Sequence, residues 1–226
     1  MERTGRLIVF EGGEGSGKST QLRLLADALA AASIEHRCLR EPGGTELGEE
    51  VRHLLLEREW KVVPRAEALL FMASRAQLVE REMRPALDRG EVVLLDRFFL
   101  STYAYQIGGH GLPEAEVRAA NGLATGGLVP DVTLLLTFPA ARGLARAAER
   151  SSAHDRIEWM GEPFHERVAD AFVSFATAAW QRAHPECGPI VSIEGTGSER
   201  DVARRVRETL SARWPGTFPD LEASDH

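Results

Sequence analysis

The sequence predicts a three-layer α/β fold with one five-stranded parallel sheet and helices on both of its faces. Three observations carry that reading. Short apolar runs alternate with longer amphipathic segments, the order that builds a parallel sheet covered on both sides. The stretch Gly12-Gly13-Glu14-Gly15-Ser16-Gly17-Lys18-Ser19-Thr20 fits G-x-x-x-x-G-K-[ST] between the apolar run Leu7-Ile8-Val9-Phe10 and an amphipathic segment. That strand-loop-helix context separates a phosphate-binding loop from a chance match and makes this a P-loop fold. Charged or glycine-rich motifs follow the apolar runs, and a parallel sheet gathers such motifs at its carboxyl edge, where ligands bind.

Each element has a local cause. The first strand covers about residues 6–10. The next helix runs from about Lys18 to Ala32, with Leu22, Leu25, Ala26 and Leu29 as its apolar stripe. A second strand over about His36 to Leu39 stops at Arg40-Glu41-Pro42-Gly43-Gly44, and Thr45 is placed to cap a helix over about 46–57. Pro64 suits the first turn of a long helix that runs to about Arg89, where Gly90 ends it. Val92-Val93-Leu94-Leu95 is a buried-type strand closing on Asp96-Arg97, and helices follow over about 99–107 and 114–124. The fourth strand is Val132-Thr133-Leu134-Leu135-Leu136. A helix over about 140–150 leads into the loop Ser151-Ser152-Ala153-His154. A long helix over about 163–183 carries Phe164, Val168, Phe172, Phe175 and Ala179 at spacings that suit core or a subunit interface. Pro189-Ile190-Val191-Ser192-Ile193 is the fifth strand, and the last helix spans about Arg200 to Trp214. One domain over 1–214 is expected, with a disordered polar tail over 215–226.

Composition removes several classes of function. The net charge of −7 over 226 residues argues against a nucleic-acid partner or an anionic membrane, so any positive patch is local. Cys38 and Cys187 lack a metal-type spacing and are expected as free thiols in a reducing compartment. The histidines are scattered, and none is assigned a role. No apolar run is long enough for a signal peptide or a membrane span, and a cytoplasmic location is expected.

The glycine loop is built for phosphate. Its glycines let successive N–H groups turn inward, and the helix beginning near Lys18 adds the positive end of its dipole. Lys18 can reach the outer phosphates of a nucleoside triphosphate, and the Ser19 hydroxyl can face Mg²⁺. Asp96 ends an aliphatic strand at the mouth of the sheet, so its carboxylate can hold the metal through water; an ion pair or a helix cap is the plainer alternative. Arg97 suits a bidentate grip on a second phosphate, against the plain reading of a surface arginine. Phe71 and Arg75 share one helix face. Periodicity alone favours a core phenylalanine and a solvated arginine, with Leu69, Met72, Ala73 and Ala76 supplying the core stripe. The alternative is a ring stacked on a planar base beside a guanidinium that bonds its exocyclic oxygen. Arg142, Arg146 and Arg150, with Arg156 beyond them, form either a solvated face or a mobile cationic segment closing on a transferring phosphoryl group.

Taken in order, five motifs resemble those of bacterial thymidylate kinases over about residues 5–212. They are the loop with its acidic Glu14, Arg40-Glu41-Pro42-Gly43-Gly44-Thr45, Phe71-Met72-Ala73-Ser74-Arg75-Ala76-Gln77, Asp96-Arg97 with Ser101-Thr102 and Ala104-Tyr105-Gln106, and Asp155-Arg156-Ile157-Glu158. The resemblance implies transfer of the γ-phosphoryl group of ATP to dTMP, giving dTDP and ADP, with Mg²⁺. It implies that Phe71 stacks on thymine and Arg75 bonds its exocyclic oxygen, overturning the periodicity reading. Thr102 and Gln106 then lie at the base edge, and Arg97 holds the monophosphate with Arg40. Glu14 takes the sugar 3′-hydroxyl, and Tyr105 lies against the 2′ carbon and disfavours ribose. The basic segment becomes a short lid over about 142–158. Gly15 stands where some members carry a catalytic arginine, so that arginine is expected from the lid, with Arg146, Arg150 and Arg156 as candidates. Phe98 and Phe172 depart from the family pattern, each lacking a polar group common at its position. A homodimer through long helices is also implied.

Two other readings compete. A kinase for another nucleoside monophosphate or for a deoxynucleoside would share the loop. A nucleoside acceptor, however, lacks the phosphate that Arg97 would hold. The other is an NTP-driven switch, but the sequence has neither N-K-x-D nor a D-x-x-G after the third strand.

Overall fold

A computed structural model of the protein describes residues 4–57, 61–138, 143 and 160–218. Among these, one sheet is built from β1 (Arg6–Glu11), β2 (His36–Arg40), β3 (Val92–Asp96), β4 (Val132–Thr137) and β5 (Ile190–Glu194). Its order is β2-β3-β1-β4-β5, and every neighbouring pair is parallel, as expected. Parallel neighbours need crossovers, and the helices that make them cover both faces. The helices are α1 (Lys18–Ala31), α2 (Glu46–Arg52), α3 (Pro64–Leu78), α4 (Arg84–Asp88), α5 (Phe99–Thr102), α6 (Glu114–Thr125), α7 (Glu162–Phe175), α8 (Ala178–Ala183) and α9 (Glu199–Arg213). None among the described residues is long and apolar enough to cross a membrane.

Alternation along β1 divides the core between the two faces. Leu7 and Val9 join Val93, Leu95 and Phe172; Ile8 and Phe10 join Leu94, Leu25 and Val206. Register then aligns the strand ends. Phe10 pairs with Asp96 on one side of β3, and Arg40 pairs with Asp96 on the other. Thr137 pairs with Glu194 across β4 and β5. The loops after all these strands therefore open at one edge.

Several boundaries differ from expectation for local reasons. Thr45 caps α2 as expected, its Oγ1 accepting from Gly48 N at 3.0 Å. The long helix from Pro64 is not uniform: α3 passes through a wider π-type turn at Val79–Met83 into α4. Pro85 has no N–H to give the helical ladder, which accounts for the widening. The helix expected over 163–183 is broken, because Thr177 caps a new start with its Oγ1 accepting from Trp180 N at 3.3 Å. Ala179 consequently leaves the stripe and is exposed. The tail expected to be disordered begins with a turn, and Phe218 is fully buried near Trp214. Burying a phenylalanine ring contributes about 2 kcal/mol, enough to order a short turn. Apart from Gly143, the expected lid over about 142–158 lies outside the described residues.

Candidate active site

The glycine loop leaves β1 and enters α1 at Lys18. Gly12 has φ 144°, and a Cβ there would stand 2.6 Å from the Leu136 carbonyl oxygen, so β4 packs too closely for any side chain. Gly17 caps α1 without a side chain, which leaves the first N–H groups of α1 to the loop. Lys18 Nζ donates to the carbonyl oxygens of Gly12 and Gly13, each at 2.9 Å. Burial, reinforced by the like charge of Arg97, lowers its pKa from 10.5 to about 8.

Beside Lys18, Ser19 Oγ donates to Asp96 Oδ2 at 2.5 Å. Asp96 Oδ1 is buried and has no hydrogen-bond partner among the described residues. A buried carboxylate oxygen without a donor is costly unless a cation or water meets it. The pair therefore fits a hard divalent cation that takes oxygen ligands. Among the described residues no cluster of three or more His, Cys, Asp or Glu side chains could hold a metal. A cation here would draw the rest of its shell from phosphate and water.

Arg97 occupies a left-handed backbone conformation, φ 69°, that side chains rarely adopt. Its Nη2 donates to Glu14 Oε1 at 2.6 Å and its Nη1 to Ser101 Oγ at 3.1 Å. The Tyr105 hydroxyl donates to the same Glu14 oxygen at 2.7 Å, and the guanidinium lies 5.4 Å from the Tyr105 ring centroid. Arg97 is the main reason that the Glu14 carboxyl titrates at about 2 rather than 4.5. Burial pushes the Tyr105 phenol far up, so it stays a donor. Three of the sequence-derived residues thus form one unit against the phosphate loop. Arg97 thus meets Glu14, Ser101 and the Tyr105 oxygen, which leaves part of its five-donor fork for a ligand.

Arg75 corrects the periodicity reading. It is 2% exposed, not solvated, whereas Leu69 is 63% exposed and Ala73 is also exposed. All five Arg75 N–H groups meet protein acceptors. Nε donates to Glu41, Nη1 to Thr102 Oγ1 at 2.8 Å and to Asn121 Oδ1, and Nη2 to Glu41 and to the Phe98 carbonyl oxygen at 2.9 Å. A bond from Arg75 to a base would require one of these to be given up. Phe98 is fully buried, edge-on to Phe99 and 4.8 Å from the Arg75 guanidinium, an environment with no use for a hydroxyl. Phe172 is likewise buried, edge-on to Tyr105.

Phe71 is half-buried, one turn before Arg75, and joins neither core cluster. Gln106 Nε2 donates to Glu67 Oε1 at 3.2 Å, an oxygen that His110 Nε2 also approaches at 2.9 Å. Arg40 is more than half exposed and paired with Glu49 at 2.9 Å. Arg146, Arg150 and Arg156 lie outside the described residues. Glu11, Glu41, Glu67 and Asn121 join these contacts without being among the residues that the sequence singles out. Glu41 stands inside the Arg40–Thr45 motif and Glu11 directly before the loop, positions that mark them in the sequence; Glu67 and Asn121 have no such mark.

Known proteins share this arrangement of sequence. A family model described as thymidylate kinase matches residues 10–184. A thymidylate kinase of Rhizorhabdus wittichii is 43% identical over 215 residues, covering 93% of this chain and 99% of that protein. One from Deinococcus radiodurans is 47% identical over 209 residues, 92% of this chain and 98% of that protein. One from Synechococcus sp. is 45% identical over 208 residues, 92% and 95% respectively.

Proposed function

The chain belongs to the thymidylate kinase family, and from that premise we propose how its residues divide the reaction. The protein is a kinase that phosphorylates dTMP to dTDP. ATP is the donor, and residues 12–20 seat its phosphates under Lys18. The observation that carries the division is the Arg97–Glu14 contact, which sets an acceptor-side cation against the donor loop. Arg97 holds the dTMP phosphate with its remaining N–H groups, with Arg40 at the mouth. Glu14 takes the 3′-hydroxyl, and Tyr105 crowds the 2′ carbon. Phe71 stacks on the base, and Arg75, Thr102 and Gln106 form the wall at its edge.

Phosphoryl transfer requires two anions held in line, so the protein's work is positioning and neutralisation. The acceptor phosphate is already a nucleophile at neutral pH and needs no strong general base. Ser19 and Asp96 would hold Mg²⁺, and the orphaned buried oxygen Oδ1 of Asp96 is the supporting observation. When bound, the ion neutralises phosphate charge. Lys18 and Arg97 neutralise the donor and acceptor sides. A Cβ on Gly15 would collide with the Gly143 carbonyl oxygen, so the loop has no room for its own arginine. The lid over about 142–158 supplies it, from Arg146, Arg150 or Arg156. The enzyme works in the cytoplasm as a homodimer; the exposed Leu69 and Leu123, on the mutually packed α3 and α6, support an interface there.

The test is a coupled assay of ADP release with ATP, Mg²⁺ and a panel of nucleoside monophosphates. Near silence without acceptor and a clear preference for dTMP are expected. Hydrolysis indifferent to acceptor, or preference for another monophosphate, would overturn the reading.

A further inference from the structure

We propose that Glu11 is a positioning residue that sets the aim of Arg97 and ties that aim to the phosphate loop. Glu11 is the last residue of β1 and fully buried. Three donors converge on its carboxylate. Phe98 N–H at 2.7 Å and Ser101 N–H at 3.0 Å reach Oε1, and the Ser101 hydroxyl reaches Oε2 at 2.7 Å. The two N–H groups belong to the start of α5, whose N-cap residue, Phe98, makes no side-chain cap. A helix start without a cap leaves donors unsatisfied. Glu11 supplies the cap from a different element and puts negative charge at the positive end of the helix.

The same network reaches the guanidinium. Ser101 Oγ donates to Glu11 and accepts from Arg97 Nη1. The backbone is gripped as well. Arg97 N–H donates to the Phe10 carbonyl oxygen at 3.0 Å, and the next N–H, that of Phe98, donates to Glu11. Two consecutive residues of β1 therefore hold two consecutive peptides of the turn in which Arg97 stands at φ 69°. Such a conformation persists only where its surroundings over-determine it. Gly12 follows Glu11 directly, so the donor loop and the grip on Arg97 share one anchor. The charge matters because an amide at position 11 accepts through one atom only. Its NH₂ would face Ser101 and compete with Arg97 for the hydroxyl lone pairs.

This inference rests on Arg97 being the grip on the dTMP phosphate, and a double-mutant cycle separates the two ideas. Steady-state kinetics in both substrates are measured for Glu11→Gln, Ser101→Ala, Arg97→Ala and each of the first two combined with Arg97→Ala. Glu11→Gln raises KM for dTMP roughly tenfold and changes KM for ATP less than about twofold; Ser101→Ala moves KM for dTMP the same way. In the Arg97→Ala background neither substitution adds more than about twofold. A residue needed only for folding would lower kcat through the active fraction and leave both KM values in place. That result overturns the proposal, as does a full effect on dTMP in the Arg97→Ala background. If Glu11→Gln folds poorly, Ser101→Ala, which leaves both peptide contacts of Glu11 intact, decides through the same cycle. Unchanged dTMP kinetics in Arg97→Ala alone refutes the phosphate grip itself, and the proposal with it.

Discussion

Arg97 Nη2 donates to Glu14 Oε1 at 2.6 Å across 83 positions of sequence. The contact depresses the Glu14 pKa from 4.5 to about 2. A carboxyl with a lowered folded-state pKa contributes stability that is complete above its unfolded value and is lost as pH falls through the folded one. Acid unfolding should therefore show a contribution from Glu14 between pH 4.5 and about 2. Glu14→Gln is expected to be less stable at neutral pH and to lose less on acidification across that window. Circular dichroism against pH for both proteins checks it; parallel curves would contradict the ion pair.

Lys18 gives the opposite sign. Its folded pKa is lowered from 10.5 to about 8, mainly by burial, so the free enzyme begins to lose this charge just above neutrality. A bound triphosphate favours the charged form, so binding above pH 8 takes up a proton. Affinity for ATP should weaken as pH rises from about 8, approaching about tenfold per unit. KM for ATP measured from neutral pH to pH 9.5 or so tests this, and a flat profile would argue that Lys18 keeps its proton.

Asp96 Oδ1 is a buried acceptor without a donor among the described residues, next to a Ser19–Asp96 bond of 2.5 Å. Asp96→Asn keeps the shape and removes the charge. The Mg²⁺ concentration giving half-maximal activity should rise at least about tenfold, with little change in thermal stability. Direct titration of nucleotide binding against Mg²⁺ provides a second readout. An unchanged Mg²⁺ requirement would remove Asp96 from the metal's surroundings.

Arg75 and Glu41 form a buried ion pair, each side chain less than 5% exposed. Burial, with the like charge of Glu11, pushes the Glu41 carboxyl up while Arg75 pulls it down, and without Arg75 only the upward influences remain. Arg75→Leu should destabilise the fold by about 3–5 kcal/mol, because Glu41 would be left without its partner. Arg75→Leu combined with Glu41→Leu should recover part of that loss. Denaturant unfolding of both proteins decides between this role and one confined to the base; a stable Arg75→Leu that merely raises KM for dTMP would favour the latter.

By itself the sequence determined the parallel sheet, the phosphate loop, the Thr45 cap and the placing of Asp96-Arg97 at a strand end. Those features depend on patterns within one or two elements: strand alternation, turn chemistry and residues at fixed offsets. Only the tertiary structure decided that Arg75 is buried. Its acceptors, Glu41, Phe98, Thr102 and Asn121, come from four places in the chain, and helical period records the polarity of one face without its partners. The same holds for Glu11, which resembles any acid before a loop until β3 delivers Phe98 and Ser101 to it. Long-range hydrogen bonds choose their partners after the elements have packed, so they leave no periodic trace in the chain.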